Sequence, residues 1–294
     1  SIDDTYKREP DSENESLNDS EEGGSHDSFD LARFEQAPEE AQSSPDAEDT
    51  TLVDDPTEEE ITETAKEASG DLTYENFTYT VSGSNATITG YTSSAASLTM
   101  PSKIGEYTVT AIKDYAFSDC SSLTSLTLPE SITVIGSYFI EGTGIKSITI
   151  PKNVTSCAYC LTGSVVEDVV FEEGMTKIPN KACMQYNDSY INYTTRVQIP
   201  ESITTIGSSA FSGCAELTEV SIPKAVSTVQ NYAFSGCTGL QSVQFNYNDE
   251  IVITAGNIRH PYSLTIGSCA FSNCSSLSHV ELTENVTEIQ DYNR

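Results

Sequence analysis

From residue 112 to residue 294 the apolar positions of this chain recur in a fixed order. An aliphatic residue stands at Ile112, Ile135, Ile206, Val229, Ile266 and Ile289. Four and five positions later come Ala116-Phe117, Ala210-Phe211, Ala233-Phe234 and Ala270-Phe271. Eight positions on stand Cys120, Cys214, Cys237 and Cys274, and eleven on Leu123, Leu217, Leu240 and Leu277. Fourteen and sixteen on, the pairs are Leu126 and Leu128, Val220 and Ile222, Val243 and Phe245, Val280 and Leu282. Two degenerate copies fill the gap, one anchored on Cys157 and one on Ile178, the latter with Ala182-Cys183 in place of Ala-Phe.

Each copy predicts the same small set of elements. In "TSLTLP" apolar and polar residues alternate with period two, the pattern of a strand buried on one face. Proline after it cannot donate a ladder hydrogen bond and ends the strand. A second extended piece such as "SITVIG" leads to the next anchor, and "AFSGC" is expected to be a tight helical or 3-10 turn carrying Ala, Phe and Cys inward. A unit of about 23 residues cannot bury its own apolar edge, so the units must stack side by side into one continuous core with a parallel sheet.

Charge separates this region from what precedes it. Residues 1–70 hold 24 acidic and four basic residues, a net of −20, whereas the remainder holds 21 and 10, a net of −11. Runs such as "EEGGSHDSFD" hold too little apolar surface to offset the entropy of ordering the backbone, so a disordered acidic tether is expected over 1–70. The acidic balance disfavours nucleic acid and anionic lipid as partners. No apolar run is long enough to span a bilayer, so direct membrane insertion is not expected.

The recurring "IGxxAFxxCxxLxxVxIP" spacing resembles the BspA-like leucine-rich repeat of bacterial surface and secreted proteins, over about residues 98–294. The resemblance implies an α/β, strand-dominated leucine-rich-repeat solenoid, right-handed, with a parallel β-sheet and short helical or 3-10 turns. It comprises about seven units, the last incomplete. Residues 71–97 resemble the N-terminal entry of such proteins, a β-hairpin cap with strands at Phe77–Val81 and Ala86–Gly90 turning at Ser82–Asn85. "EIQDYNR" breaks off where the next Ala-Phe is due, so further repeats or domains are expected beyond Arg294.

No catalytic constellation is found. The inward Cys column places its thiols among Leu and Phe, so free packed thiols are expected, although Cys214 and Cys237 lie in adjacent units within bridging reach. "CAYC" (Cys157, Cys160) has redox spacing but not the βαβ setting that such a motif opens. No second CxxC or histidine pair completes a zinc site, and no GxSxG elbow or phosphate-binding GxxxxGK occurs. Neither enzyme activity nor any cofactor or metal is expected.

Binding is therefore the function to look for, on outward strand positions and in insertions. The outward pairs are Ser125 and Thr127, Ser147 and Thr149, Asp168 and Val170, Arg196 and Gln198, Glu219 and Ser221, Ser242 and Gln244, His279 and Glu281. Two units carry insertions. One adds Tyr186, Tyr190 and Tyr193, and the other adds Tyr247, Arg259, His260 and Tyr262. Tyrosine offers wide contact area at low entropic cost. The candidate ligand-binding set is thus Tyr186, Tyr190, Tyr193, Arg196, Gln198, Glu219, Gln244, Tyr247, Arg259, His260, Tyr262, His279 and Glu281. The resemblance implies a secreted or cell-surface, monomeric adhesion scaffold whose partner is a surface or matrix protein or a glycan. Two alternatives stay open: a targeting module for a secreted enzyme whose catalytic domain lies beyond Arg294, and a structural envelope component.

Overall fold

The computed structural model describes residues 70–185, 190–246, 252–254, 257–259, 263–278, 280 and 286–290. Two compact units divide the chain at Thr62 and Glu63, and the described residues belong to the second. Residues 1–69, where the acidic tether is expected, lie outside the described residues.

The described chain starts with β1 (Leu72–Tyr74), β2 (Phe77–Ser82) and β3 (Asn85–Tyr91), an antiparallel series. The β2–β3 hairpin turns at Gly83, whose φ of 57° is the left-handed conformation that glycine adopts without penalty. After β4 (Ser97–Thr99) and β5 (Lys103–Ile104), β6 (Tyr107–Ile112) runs parallel to β3. Phe77 packs on Tyr91 at 5.1 Å and Tyr91 on Phe117 at 5.6 Å, so rings join the hairpin to the first repeat.

From β6 onward each repeat makes one coil, in all but coil three of the first six with a strand at its anchor and a second at its alternating segment. Coil one has β6 and β7 (Ser125–Thr127); coil two has β8 (Val134–Ile135) and β9 (Ser147–Ile150). Coil three, anchored on Cys157, has β10 (Asp168–Phe171). Coil four has β11 (Lys177–Ile178) and β12 (Arg196–Gln198), coil five β13 (Thr205–Ile206) and β14 (Glu219–Ile222), and coil six β15 (Thr228–Val229) and β16 (Ser242–Phe245). The second insertion contains β17 (Val252–Thr254) paired antiparallel with β18 (Asn257–Arg259). Then follow β19 (Leu264–Ile266) and β20 (Val286–Ile289).

Stacking puts like residue over like. Parallel pairing sets Val169 between Ile148 and Val197, and Val220 beside Val243. Ile178, Ile206, Val229 and Ile266 form the anchor ladder. All four are buried, whereas Ile289, the last rung among the described residues, is 49% exposed. Phe211, Phe234 and Phe271 pile ring on ring at 5.0 and 5.3 Å, and Phe117 meets Phe139 edge-on at 6.4 Å.

The segment expected to be helical is not. Among the described residues no helix forms, and "YAFSDC" is a chain of turns whose amides alternate in direction. Those of Tyr115, Phe117 and Asp119 cross to the carbonyls of Ser137, Phe139 and Glu141 in the next coil, at 3.1, 2.8 and 2.9 Å. Those of Ala116, Ser118 and Cys120 fold back on Lys113, Tyr115 and Phe117. Left-handed residues cause this. Tyr115 and Asp119 have φ of 61° and 62°, and equivalents recur at Tyr138, Tyr159, Lys181, Ser209, Tyr232 and Cys269. A left-handed residue at every fourth position stops a helix after one turn, and every other amide is aimed at the neighbouring coil, a third ladder between coils.

The two strand ladders are interrupted in places. The strand ladder β9–β10–β12 is continuous, but β7 is not paired to β9, nor β12 to β14. The anchor ladder links β6 to β8, reaches Ser156 by a single bridge, and resumes only at β11. There, Pro179 stands where Gly136 and Gly207 donate amides to Ile112 and Ile178 of the preceding coil. Proline has no N–H to give, so that bond is lost.

Candidate binding surface

The outward face of the strand ladder is exposed at Ser125, Thr127, Ser147 and Thr149 and again from Arg196 onward, while the alternate residues of most of these strands are buried. Its first half is small and polar. In its middle, Arg196 donates from Nε to Asp168 Oδ1 at 2.9 Å and from Nη2 to Oδ2 at 2.6 Å. Gln198 Nε2 donates to the same carboxylate at 3.4 Å. The hydrogen bonds from Arg196 hold the Asp168 carboxyl below its usual range, against the opposing effect of burial. Lys146 pairs with Glu167 at 2.6 Å on the same side.

At the interruption between β12 and β14 a cleft of about 230 Å3 opens, lined by Arg196, Val197, Gln198, Glu219, Val220, Ser221, Ser242 and Gln244. Four of the residues expected from sequence, Arg196, Gln198, Glu219 and Gln244, thus converge. The volume falls short of the roughly 300–1,000 Å3 that encloses a whole small molecule, so the cleft suits a protruding side chain or a single sugar. Its walls supply amides and hydroxyls. Arg196 is already neutralised by Asp168, whereas Glu219 has no ion-pair partner among the described residues.

Tyr190 and Tyr193, the described tyrosines of the insertions, do not line that cleft. Tyr190 lies on Tyr138, ring centroids 5.7 Å apart, and Gln185 Nε2 donates to the Tyr190 carbonyl at 2.6 Å. Tyr193 is 39% exposed, and beside both is a crevice of about 10 Å3, room for one water at most. Asn192 ties the insertion down by donating to the Cys183 carbonyl at 2.7 Å and to Cys214 Sγ at 3.4 Å. Arg259 falls in β18, so the second insertion carries a short antiparallel strand pair. Tyr186, Tyr247, His260, Tyr262, His279 and Glu281 lie outside the described residues.

A feature missed from sequence is the row of side chains at the left-handed turn position. Tyr115 and Tyr138 stack at 5.0 Å with planes 7° apart. Lys181 Nζ stands 5.1 Å over the Tyr159 ring, and Tyr232 continues the row, 49% exposed. The signal was present: a tyrosine immediately precedes the inward pair in "YAF", "YFI", "YCL" and "YAF".

All eight cysteines are free thiols. Cys214, Cys237 and Cys274 donate to the carbonyls of Cys183, Phe211 and Phe234 in the preceding coil, at 3.4, 3.2 and 3.1 Å. Burial pushes the Cys214 thiol up to about 12, and it raises Cys183 as well. In the "CAYC" pair both residues are buried, and hydrogen bonding to Cys157 together with burial pushes the Cys160 thiol well up. A thiol so held is protonated at neutral pH and a poor nucleophile.

Residues 90–197, 189–255 and 253–293 match the family described as the BspA type leucine rich repeat region, in six copies. Solved structures similar to the chain include a leucine-rich cell surface protein from Faecalibacterium prausnitzii, 23% identical, covering 74% of this chain and 78% of that one at a TM-score of 0.39. Another is a leucine-rich repeat protein from Bacteroides ovatus, 23% identical, covering 65% of this chain and 49% of that one at a TM-score of 0.42. A third is a leucine-rich repeat protein from T. pallidum, 18% identical, covering 71% and 91% at a TM-score of 0.40. No curated protein matches the chain.

Proposed function

Because the chain belongs to the BspA-type leucine-rich repeat family, we propose that it is a non-catalytic binding scaffold of the cell surface or extracellular space, recognising a protein or glycan of a host or bacterial surface. The carrying observation is the cleft at the β12–β14 interruption, which four outward polar side chains line together. No helix among the described residues is long and apolar enough to cross a membrane. We read the acidic residues 1–70 as a tether on composition, and the β2–β3 hairpin, paired through β3 to β6, as the cap of the first coil.

The test is a panel of purified matrix proteins and bacterial and host glycans, measured against immobilised full-length chain. A ligand of the cleft binds the wild-type chain and weakens at least about tenfold, or roughly 1.4 kcal/mol, in the double variant Glu219→Lys, Gln244→Ala. Both positions are exposed, so folding is expected to change by no more than about ±0.5 kcal/mol. A panel whose every binder is indifferent to that variant refutes the cleft as the site.

A further inference from the structure

Just before the anchor, a regular coil sends three donors to a single carbonyl of the coil behind it. In coil three the Thr155 and Ser156 amides and the Thr155 hydroxyl donate to Thr133 O at 2.9, 3.4 and 3.3 Å. In coil five the Thr204 and Thr205 amides and the Thr204 hydroxyl donate to Thr176 O at 2.9, 3.3 and 3.0 Å. In coil six those of Ser227, Thr228 and the Ser227 hydroxyl donate to Thr204 O at 2.9, 3.3 and 3.3 Å. Coil four breaks the series. The Thr176 and Lys177 amides and the Thr176 hydroxyl make no such bond to Thr155 O, and β11 is paired only on its other side, to β13. Among the described residues these three donors have no acceptor. Between coils three and four at this point lies a cleft of about 130 Å3. Val154, Met175 and Pro179 line it as buried residues, and Lys152, Thr176 and Lys177 stand at its rim. Lys152 Nζ is 2.8 Å from Glu130, so its charge is met within the chain, whereas Lys177 is exposed and has no ion-pair partner among the described residues.

We propose that this cleft is a second binding site, one that takes the carboxylate of a small organic acid. A donor left without an acceptor is costly unless water or a ligand supplies one. In the regular coils one carbonyl oxygen satisfies all three donors, and a carboxylate oxygen fills the same role here, with its second oxygen turned to Lys177 Nζ. Convergent backbone amides form anion-binding concavities, and a charged acceptor makes the stronger bond. The volume is well under the roughly 300–1,000 Å3 that encloses a whole small molecule, so the cleft holds the acid group and little of what carries it. Charge narrows the carrier further. A polyanion is repelled by a chain of net charge −31, whereas a single carboxylate meets a local cation and three local donors. The site lies on the anchor ladder, away from the strand-face cleft, so the failure of one reading leaves the other standing.

The measurement is a residue-resolved amide NMR titration of full-length, deuterated chain with sodium acetate and with sodium glucuronate. Acetamide and glucose serve as the neutral counterparts, and sodium chloride holds the ionic strength constant. Saturable shifts are expected at the Thr176 and Lys177 amides with both acids and with neither neutral compound. The Ser227 and Thr228 amides, already bonded to Thr204 O, are expected to stay in place. Tighter binding of glucuronate identifies the carrier as an acidic sugar, and equal binding identifies a simple organic acid; either result supports the site. The affinity is expected to fall about fivefold in Lys177→Gln and to hold in Lys224→Gln, the control at another exposed lysine. Lys177→Gln changes an exposed side chain and keeps both amides, so the fold is retained. The proposal is overturned if neither acid gives saturable shifts at the two amides. It is equally overturned by an equal response to acetamide or glucose, or by a loss in Lys177→Gln no greater than in Lys224→Gln, which would mark a response to net charge alone.

Discussion

Phe234 has an aromatic ring on each face, Phe211 at 5.0 Å and Phe271 at 5.3 Å, and is itself fully buried. Replacing it with alanine removes two stacked contacts and leaves a hole between coils that cannot collapse onto a neighbouring strand. Phe234→Ala is expected to cost on the order of 3–5 kcal/mol in a denaturant titration. Phe139, whose ring meets Phe117 only edge-on at 6.4 Å, is the comparison; a cost at Phe234 no greater than at an exposed residue would place it outside the core. These inward columns were legible because burial repeats with the coil. The tyrosine row was not, since an exposed side chain leaves no trace in an apolar pattern even when its turn position recurs. Asn192 was hidden for another reason: it does its work inside an insertion, where there is no register to compare it with.

At the scale of elements, the strands followed from period-two alternation, and the turns did not follow from composition. "YAFSDC" is short and rich in helix-tolerant residues, but with left-handed residues at Tyr115 and Asp119 it sends half its amides to the next coil. The first left-handed site accepts Tyr, Lys, Ser and Cys and so is only weakly marked, whereas the second, four residues on, holds Asp119, Asn273 or a glycine, as at Gly142, Gly163, Gly213 and Gly236. Pro179, by contrast, could have been read in advance as a missing donor. The interruption of the anchor ladder at which it stands is measurable by native-state hydrogen exchange. The Ile135 amide is bonded to Ser156 O at 2.8 Å, whereas the anchor ladder has no strand pairing between coil three and coil four. The Cys157 amide is therefore expected to exchange faster than that of Ile135. Equal protection at the two would mean that the interruption is closed in solution.

For the repeat region as a whole, the thiols provide a readout of cooperativity. Cys120 and Cys269 are partly exposed, and the other six are buried, spread from coil three to the coil that β19 opens. A thiol reagent is expected to modify those two early and the six together, at a single rate set by unfolding. Separate rates for the six would show that coils open independently, which contact between nearest neighbours alone allows. The interruptions make the single rate the expected outcome. The strand ladder lapses between coils one and two and between four and five, the anchor ladder between three and four, and at each of these junctions the opposite ladder is unbroken. It is the arrangement of masonry in running bond, where no joint lies above another. A pull along the stack finds no plane of weakness to split, and each gap in one wall is carried by solid courses in the other.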